Sequence, residues 1–229
     1  MIELVKSFGI RPICVFDGMH LKAKAATEKL RSENKKANKE LAMQMAETGN
    51  DDQARKYFTR SLVLRTKMID LLIDVLVGLN IEVVVAPYEA DAQIAYMVRE
   101  GIADFAISED SDLITFGCPR LMTKLNFNGY GQVFSLEDFQ KNSKLKDDKS
   151  LPLFQAMPRD KFVQCCIMGG CDYLPSIQQV GLKVAIRLFG KHKDIEGVIS
   201  HLQSNKAYKD RVPQQYLEAL KRVQALFFY

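Results

Sequence analysis

Three short runs of β-branched and aromatic residues each stop at an acidic turn, and this repetition constrains the chain more than any other feature. Pro12 to Phe16 (PICVF) ends at Asp17-Gly18. Ile81 to Ala86 (IEVVVA) leads through Pro87-Tyr88 to Glu89 and Asp91. Asp104 to Ser108 (DFAIS) leads to Asp110 and Asp112. Short continuous apolar runs bounded by turn residues predict buried strands. Between the second and third, Ala90 to Glu100 has the helical period and is closed by Gly101. Strands alternating with helices predict an α/β fold with a parallel-rich central sheet flanked by helices.

The remaining segments fill in this frame. Leu21 to Thr48 is rich in Ala, Lys and Glu and has neither Pro nor Gly, so it reads as a helix. Its sparse apolar residues Leu30, Leu41, Met43 and Met45 make no continuous stripe, which predicts an exposed or arched helix. After the turn at Gly49 to Asp52, the series Phe58, Leu62, Ile69, Leu72, Leu76 and Leu79, interrupted only by Arg65, predicts a packed core helix. Asn128-Gly129 predicts a hairpin turn within Asn126 to Gly131. The charged stretch Lys141 to Ser150 reads as a surface loop, and Pro158 starts a helix running through Met168. Beyond Gly181, Leu182, Ala185, Ile186 and Phe189 share one helical face, and further helices fall near Ile195 to Leu202 and Gln214 to Phe228. The expected division is a core over residues 1–157, with an arch at about 20–48, and a helical part over 158–229.

Several function classes are disfavoured. Asp70 and Asp74 interrupt the richest apolar segment, Met68 to Leu79, so no run reaches the roughly 18 residues of a membrane span. Glu3, Lys6 and Arg11 break any signal-peptide core in the first 18 residues. The cysteines, Cys14, Cys118, Cys165, Cys166 and Cys171, include no C-x-x-C pair, and the three histidines lack zinc-ligand spacing. Buried thiols in a reducing intracellular compartment fit this usage better than a zinc site. The net charge of +4 permits nucleic-acid binding, and from Lys22 to Glu40 seven basic residues stand against three acids. On charge alone a solvated helix is a simpler reading than a phosphate-binding one.

The acids carry the chemistry. In an open α/β sheet, ligands bind beyond the carboxyl ends of the strands. A single acid there is most simply a turn residue or a helix cap, but three successive strand ends carry them. Asp172, in GGCDYLP, adds a sixth carboxylate to Asp17, Glu89, Asp91, Asp110 and Asp112. So many carboxylates in one small volume would force several to protonate unless cations offset them. An all-oxygen set without His or Cys favours Mg²⁺ or Mn²⁺ over Zn²⁺. Two such ions about 4 Å apart suit the hydrolysis of a phosphodiester. Lys24 and Arg31 lie seven residues apart, close to two helical turns, so both can face one phosphate.

Four motifs occur in order: V-F-D-G at Val15 to Gly18, A-P-Y-E-A-D-A-Q at Ala86 to Gln93, E-D-S-D-L at Glu109 to Leu113, and G-C-D-Y-L at Gly170 to Leu174. In these the chain resembles the structure-specific 5′ nuclease family that contains flap endonuclease and exonuclease 1. Tyr88 in the second motif and F-T-R-S at Phe58 to Ser61 are more similar to the exonuclease 1 branch. The resemblance implies a PIN-like nuclease core with a helical arch. It also implies two Mg²⁺ ions, which Mn²⁺ can replace, held by Asp17, Glu89, Asp91, Asp110, Asp112 and Asp172. Lys24 and Arg31 are implied as catalytic cations of the arch, with Lys35 binding DNA.

Ser176 to Ala185 resembles the family's helix-two-turn-helix, which implies duplex contacts at Ser176, Val180, Gly181 and Lys183 and a K⁺ held by the Ser176 and Val180 carbonyls. Gln179 and Gly169 depart from the family's Gly and Ser. The family's N-terminal strand, with a further metal-binding Asp, has no counterpart here. The implied activity is 5′ to 3′ double-stranded DNA exonuclease with 5′-flap endonuclease, acting on 5′ ends, nicks or flaps in repair, mismatch repair and recombination in the nucleus, alongside other repair or replication proteins. Two alternatives stay open: a truncated, weak or inactive DNA-binding module of the same family, and a metal-dependent phosphatase of another α/β family.

Overall fold

A computed structural model describes residues 1–141 and 151–228, so all but Lys141 of the predicted loop from Lys141 to Ser150 lies outside the described residues. The chain divides into two compact units, one of Pro12–Tyr88 and one of Met1–Arg11 with Glu89–Tyr229. Helix α1 (Ile2–Ser7) opens the second of these and buries Val5.

In the Pro12–Tyr88 unit, β1 (Ile13–Phe16) runs parallel to β2 (Glu82–Val85), with Phe16 opposite Val85. Between them come α2 (Ala25–Glu47), preceded by a 3₁₀ turn at Lys22–Lys24, α3 (Asp51–Ser61) and α4 (Thr66–Gly78). Helix α3 folds back along α2, and the two meet through small side chains, with Ala42 and Ala54 buried. The Asn50 side chain accepts the Gln53 N–H at 3.4 Å and starts α3. The arched helix predicted from composition is thus one arm of a helical hairpin.

Two expectations are corrected in this unit. The apolar series from Phe58 to Leu79 is not one packed helix: α3 ends at Ser61 and Leu62 is extended. The break destroys the phase of the pattern, so Leu76 is buried while Phe58, Leu62, Leu72 and Leu79 are exposed. Strand β1 is half-buried along its whole length rather than enclosed, because among the described residues it pairs with β2 alone.

The other unit holds α5 (Ala90–Arg99), β3 (Ala106–Ile107), α6 (Asp112–Thr115), β4 (Arg120–Thr123), β5 (Gln132–Ser135) and α7 (Leu136–Lys141). Strands β3 and β4 are parallel, and β4 and β5 antiparallel. Asn126 makes the hairpin turn, its Oδ1 accepting the N–H groups of Asn128 at 2.9 Å and Tyr130 at 3.1 Å, and Gly129 takes a φ of +82° there. Among the described residues the strands form two small sheets, not one central sheet. The run predicted over Asp104 to Ser108 contributes only two paired residues.

Helices α8 (Leu151–Gln155), α9 (Arg159–Gly169), α10 (Leu182–Lys191), α11 (Ile195–Ser204) and α12 (Tyr216–Leu226) complete this unit. Its core is built on Leu113, Leu121, Val163, Ile167, Leu202 and Leu220, all fully buried. A file of rings from Phe134 through Phe139 and Phe154 to Phe162, with centroids 4.6 to 6.2 Å apart, ties β5, α7, α8 and α9 together. On α10, Ala185, Ile186 and Phe189 face the core as predicted, whereas Leu182 is exposed.

Candidate active site

Parallel pairing of β1 with β2 sets their carboxyl ends side by side, and the loops beyond them interlock. Gly18 N–H donates to the Tyr88 carbonyl at 2.6 Å and Met19 N–H to the Pro87 carbonyl at 3.0 Å. Asp17, exposed, stands at this edge. On the same unit, Lys24 ends the 3₁₀ turn at the N-cap of α2, and Arg31 and Lys35 follow on that helix.

The other five acids belong to the second unit. Glu89 occupies the N-cap of α5 and Asp91 lies in its first turn, where the helix dipole favours negative charge. The backbone couples Asp110 to Asp112: Asp110 N–H donates to Ser108 Oγ at 3.0 Å, and Asp112 N–H to Asp110 Oδ1 at 2.9 Å. Asp172 sits in the turn after α9, which follows Gly170 at a φ of +115° and is closed by a bridge pairing Cys171 with Leu174. Glu89, Asp91, Asp112 and Asp172 are half-buried, and Asp110 is exposed.

Tyr173 Oη donates to Glu89 Oε2. Burial pushes the Tyr173 phenol up, and the Glu89 and Asp112 carboxylates push it further. Burial also raises the Cys171 thiol, with the charges of Asp112 and Asp172 adding to the effect. The turn carrying Asp172 is thus tied to Glu89 by a hydrogen bond and feels the charge of Asp112. Beside Asp112 and Cys171 a cavity of about 220 Å³ opens, lined by Ile114, Phe162 and Leu182 among others.

Among the described residues no three His, Cys, Asp or Glu side chains are already arranged to hold a metal ion. The donor chemistry nonetheless suits a hard divalent cation, since carboxylates dominate the group. The nearby thiols are poor soft ligands: burial pushes Cys166 up to about 11.

Two residues escaped the sequence reading. Tyr173 passes for an apolar letter of its motif, yet it is 8% exposed and bonded to an acid. Arg159 was hidden by Pro158, which explains the helix start without it. Its Nη2 reaches the carbonyls of Phe116 at 3.1 Å and Phe227 at 3.3 Å, joining α6, α9 and the end of α12. A basic residue in the first turn of a helix opposes the dipole, and that was the available signal.

In the helix-two-turn-helix region, Gln179 takes a φ of +68°, a conformation that favours glycine. Val180 is buried and its N–H donates to the Ile177 carbonyl at 2.8 Å. Ser176, Gly181 and Lys183 are exposed, and Gly181 caps α10. At Gly169 a Cβ would come within 3.1 Å of Leu182 Cα, so the glycine permits the close passage of α9 and α10.

Helices with small sheets, and acids at strand ends and helix starts, define an α/β protein with the fold of the PIN-domain 5′ nucleases. The catalytic core of Rad2 in complex with DNA substrate matches all of this chain and 62% of its own, with a TM-score of 0.64 at 19% identity. Flap endonuclease-1 from Methanococcus jannaschii matches 94% of this chain and 61% of its own, with a TM-score of 0.55 at 26% identity. Residues 80–172 match the XPG I-region and residues 1–38 the XPG N-terminal domain, together more than half of the chain. The chain belongs to this XPG family. Over its whole length it is 34% identical to Exonuclease 1 of Xenopus laevis and 36% identical to Exonuclease 1 of Danio rerio. It spans 30% and 28% of those two relatives.

Proposed function

We propose that this chain is the nuclease core of a metal-dependent 5′ to 3′ double-stranded DNA exonuclease with 5′-flap endonuclease activity, working in the nucleus in DNA repair, mismatch repair and recombination. The observation that carries the reading is the hydrogen bond that ties the turn of Asp172, through Tyr173, to Glu89, two acids of the segment that matches the XPG I-region. Identity to proteins named Exonuclease 1 along the whole chain supports DNA as the substrate.

Asp17, Glu89, Asp91, Asp110, Asp112 and Asp172 would hold two Mg²⁺ ions, or Mn²⁺ in their place. When bound, such ions supply Lewis-acid stabilisation and a water acidic enough to attack at neutral pH. The chain's own groups do the rest. Lys24 and Arg31 bind the phosphate and offset charge that grows as the bond breaks. Lys35 adds a backbone contact that carries no sequence information.

The turn from Ser176 to Gly181 and the start of α10 with Lys183 would grip the duplex, with K⁺ between the carbonyls of Ser176 and Val180. No helix among the described residues is long and apolar enough to cross a membrane. The test is nucleotide release from a 5′-labelled duplex in Mg²⁺, with Asp110→Ala abolishing it. Cleavage that persists in chelator would overturn the metal-dependent mechanism.

A further inference from the structure

We infer that Tyr173 is a positioning residue whose phenol fixes the Glu89 carboxylate in the orientation a divalent cation needs. The inference rests on the proposed metal site and adds to it a residue outside the carboxylate set. Glu89 occupies the N-cap of α5 in extended conformation, at φ −91° and ψ 136°, yet its side chain makes no capping bond to that helix. Its carboxylate accepts instead from Tyr173 Oη, 84 residues further along the chain.

Tyr173 is itself held on several sides. Its ring meets Phe227 edge-on at 5.5 Å and 83°, and Phe227 packs on Phe116 at 4.6 Å. Arg159 clamps both partners through their carbonyls. A Cβ at Gly117 would fall 2.0 Å from Arg159 Nη1, so the glycine clears room for that clamp. The Cys171–Leu174 bridge closes the backbone of the turn that carries Tyr173. A buried ring on an aromatic and arginine support, ending in a hydroxyl on a carboxylate, restricts where that carboxylate can point. Such outer partners orient metal ligands, and losing one weakens metal affinity or activity by about 10- to 100-fold.

The test is Mn²⁺ titration followed by paramagnetic resonance, with Tyr173→Phe and Tyr216→Phe compared. Both changes delete a phenolic hydroxyl and keep the ring, but the Tyr216 hydroxyl is buried without a hydrogen-bond partner among the described residues. Tyr173→Phe should weaken Mn²⁺ binding by about 10-fold or more. Its metal-free melting temperature should fall by no more than about 2–4 °C, the shift expected for one lost hydrogen bond in a chain of this size. Tyr216→Phe should bind Mn²⁺ like the parent.

Unchanged Mn²⁺ affinity in Tyr173→Phe overturns the inference and leaves the metal site standing. An equal loss in Tyr216→Phe also overturns it, because the effect would then be general loosening. Absence of Mn²⁺ binding by the parent protein removes the metal site itself, and the inference with it. Should Tyr173→Phe not fold, the parent labelled with ¹³Cζ-tyrosine decides the matter. Mg²⁺ should move the Tyr173 resonance, and a silent resonance counts against the role.

Discussion

A methyl group at Gly18 would lie 1.8 Å from the Ala86 carbonyl oxygen and 2.9 Å from that of Pro87. Both atoms are backbone, so neither can swing aside, and the bonds from Gly18 and Met19 to the opposite loop would open. Gly18→Ala should therefore destabilise the Pro12–Tyr88 unit by about 1–3 kcal/mol, read by urea unfolding. It should also displace Asp17 and lower Mg²⁺-dependent cleavage. Lys24→Ala and Arg31→Ala are expected to behave differently. If these cations act on charge that develops as the bond breaks, each should reduce cleavage on the order of 100-fold. Duplex affinity should fall far less, because it is spread over many phosphate contacts; equal losses would make both ordinary DNA-binding residues. Such proposals can be framed from sequence because acids at strand ends and cations two helical turns apart stand out by their spacing. Tyr173 was not legible, since nothing local indicates that its hydroxyl meets Glu89, far earlier in the chain.

Element by element, patterns local to one segment read correctly. Composition and caps located α2, α5, α9 and α11, and β1 and β2 fell where β-branched runs placed them. The errors came where the outcome depends on what packs against a segment. Helix α4 has apolar residues nearly all round, which reads as core, yet Leu71, Leu72, Val75 and Val77 are exposed and only Leu76 is buried. The same dependence split the expected sheet, because a run of valines specifies a strand but not its neighbours. This contrast gives a prediction for α4. Leu76→Ala should cost about 2–5 kcal/mol as a buried truncation, whereas Leu72→Ala should stay within about 1 kcal/mol. Circular dichroism melts of the two variants measure the difference, and similar losses would show that Leu72 is covered in solution.

For the molecule as a whole, the groups withheld from water set how stability responds to alkali. Burial pushes Cys165 far up and Cys166 up to about 11. It also raises the Tyr173 and Tyr216 phenols, the former with help from the Glu89 carboxylate. All four lie in the Met1–Arg11 and Glu89–Tyr229 unit. In the unfolded chain, thiols ionise near pH 8.5 and phenols near pH 10. Below these values both states hold the same protons, and the stabilisation is fully present. Above them the unfolded chain gives up protons that the folded unit keeps, so the folded state binds more protons and stability falls as pH rises. The slope is at most about 1.4 kcal/mol per pH unit for each thiol kept neutral. Cys166 stops contributing once the pH passes its own folded value, near 11. Urea unfolding under reducing conditions should thus give a flat profile from pH 7 to about 8 and a decline from about 8.5 to 10.5. Cys165→Ala, whatever it does to stability at pH 7, should make that decline shallower by one ionisation. A profile that stays flat to pH 10.5, or a slope that Cys165→Ala leaves unchanged, would mean that these thiols reach solvent in the folded protein.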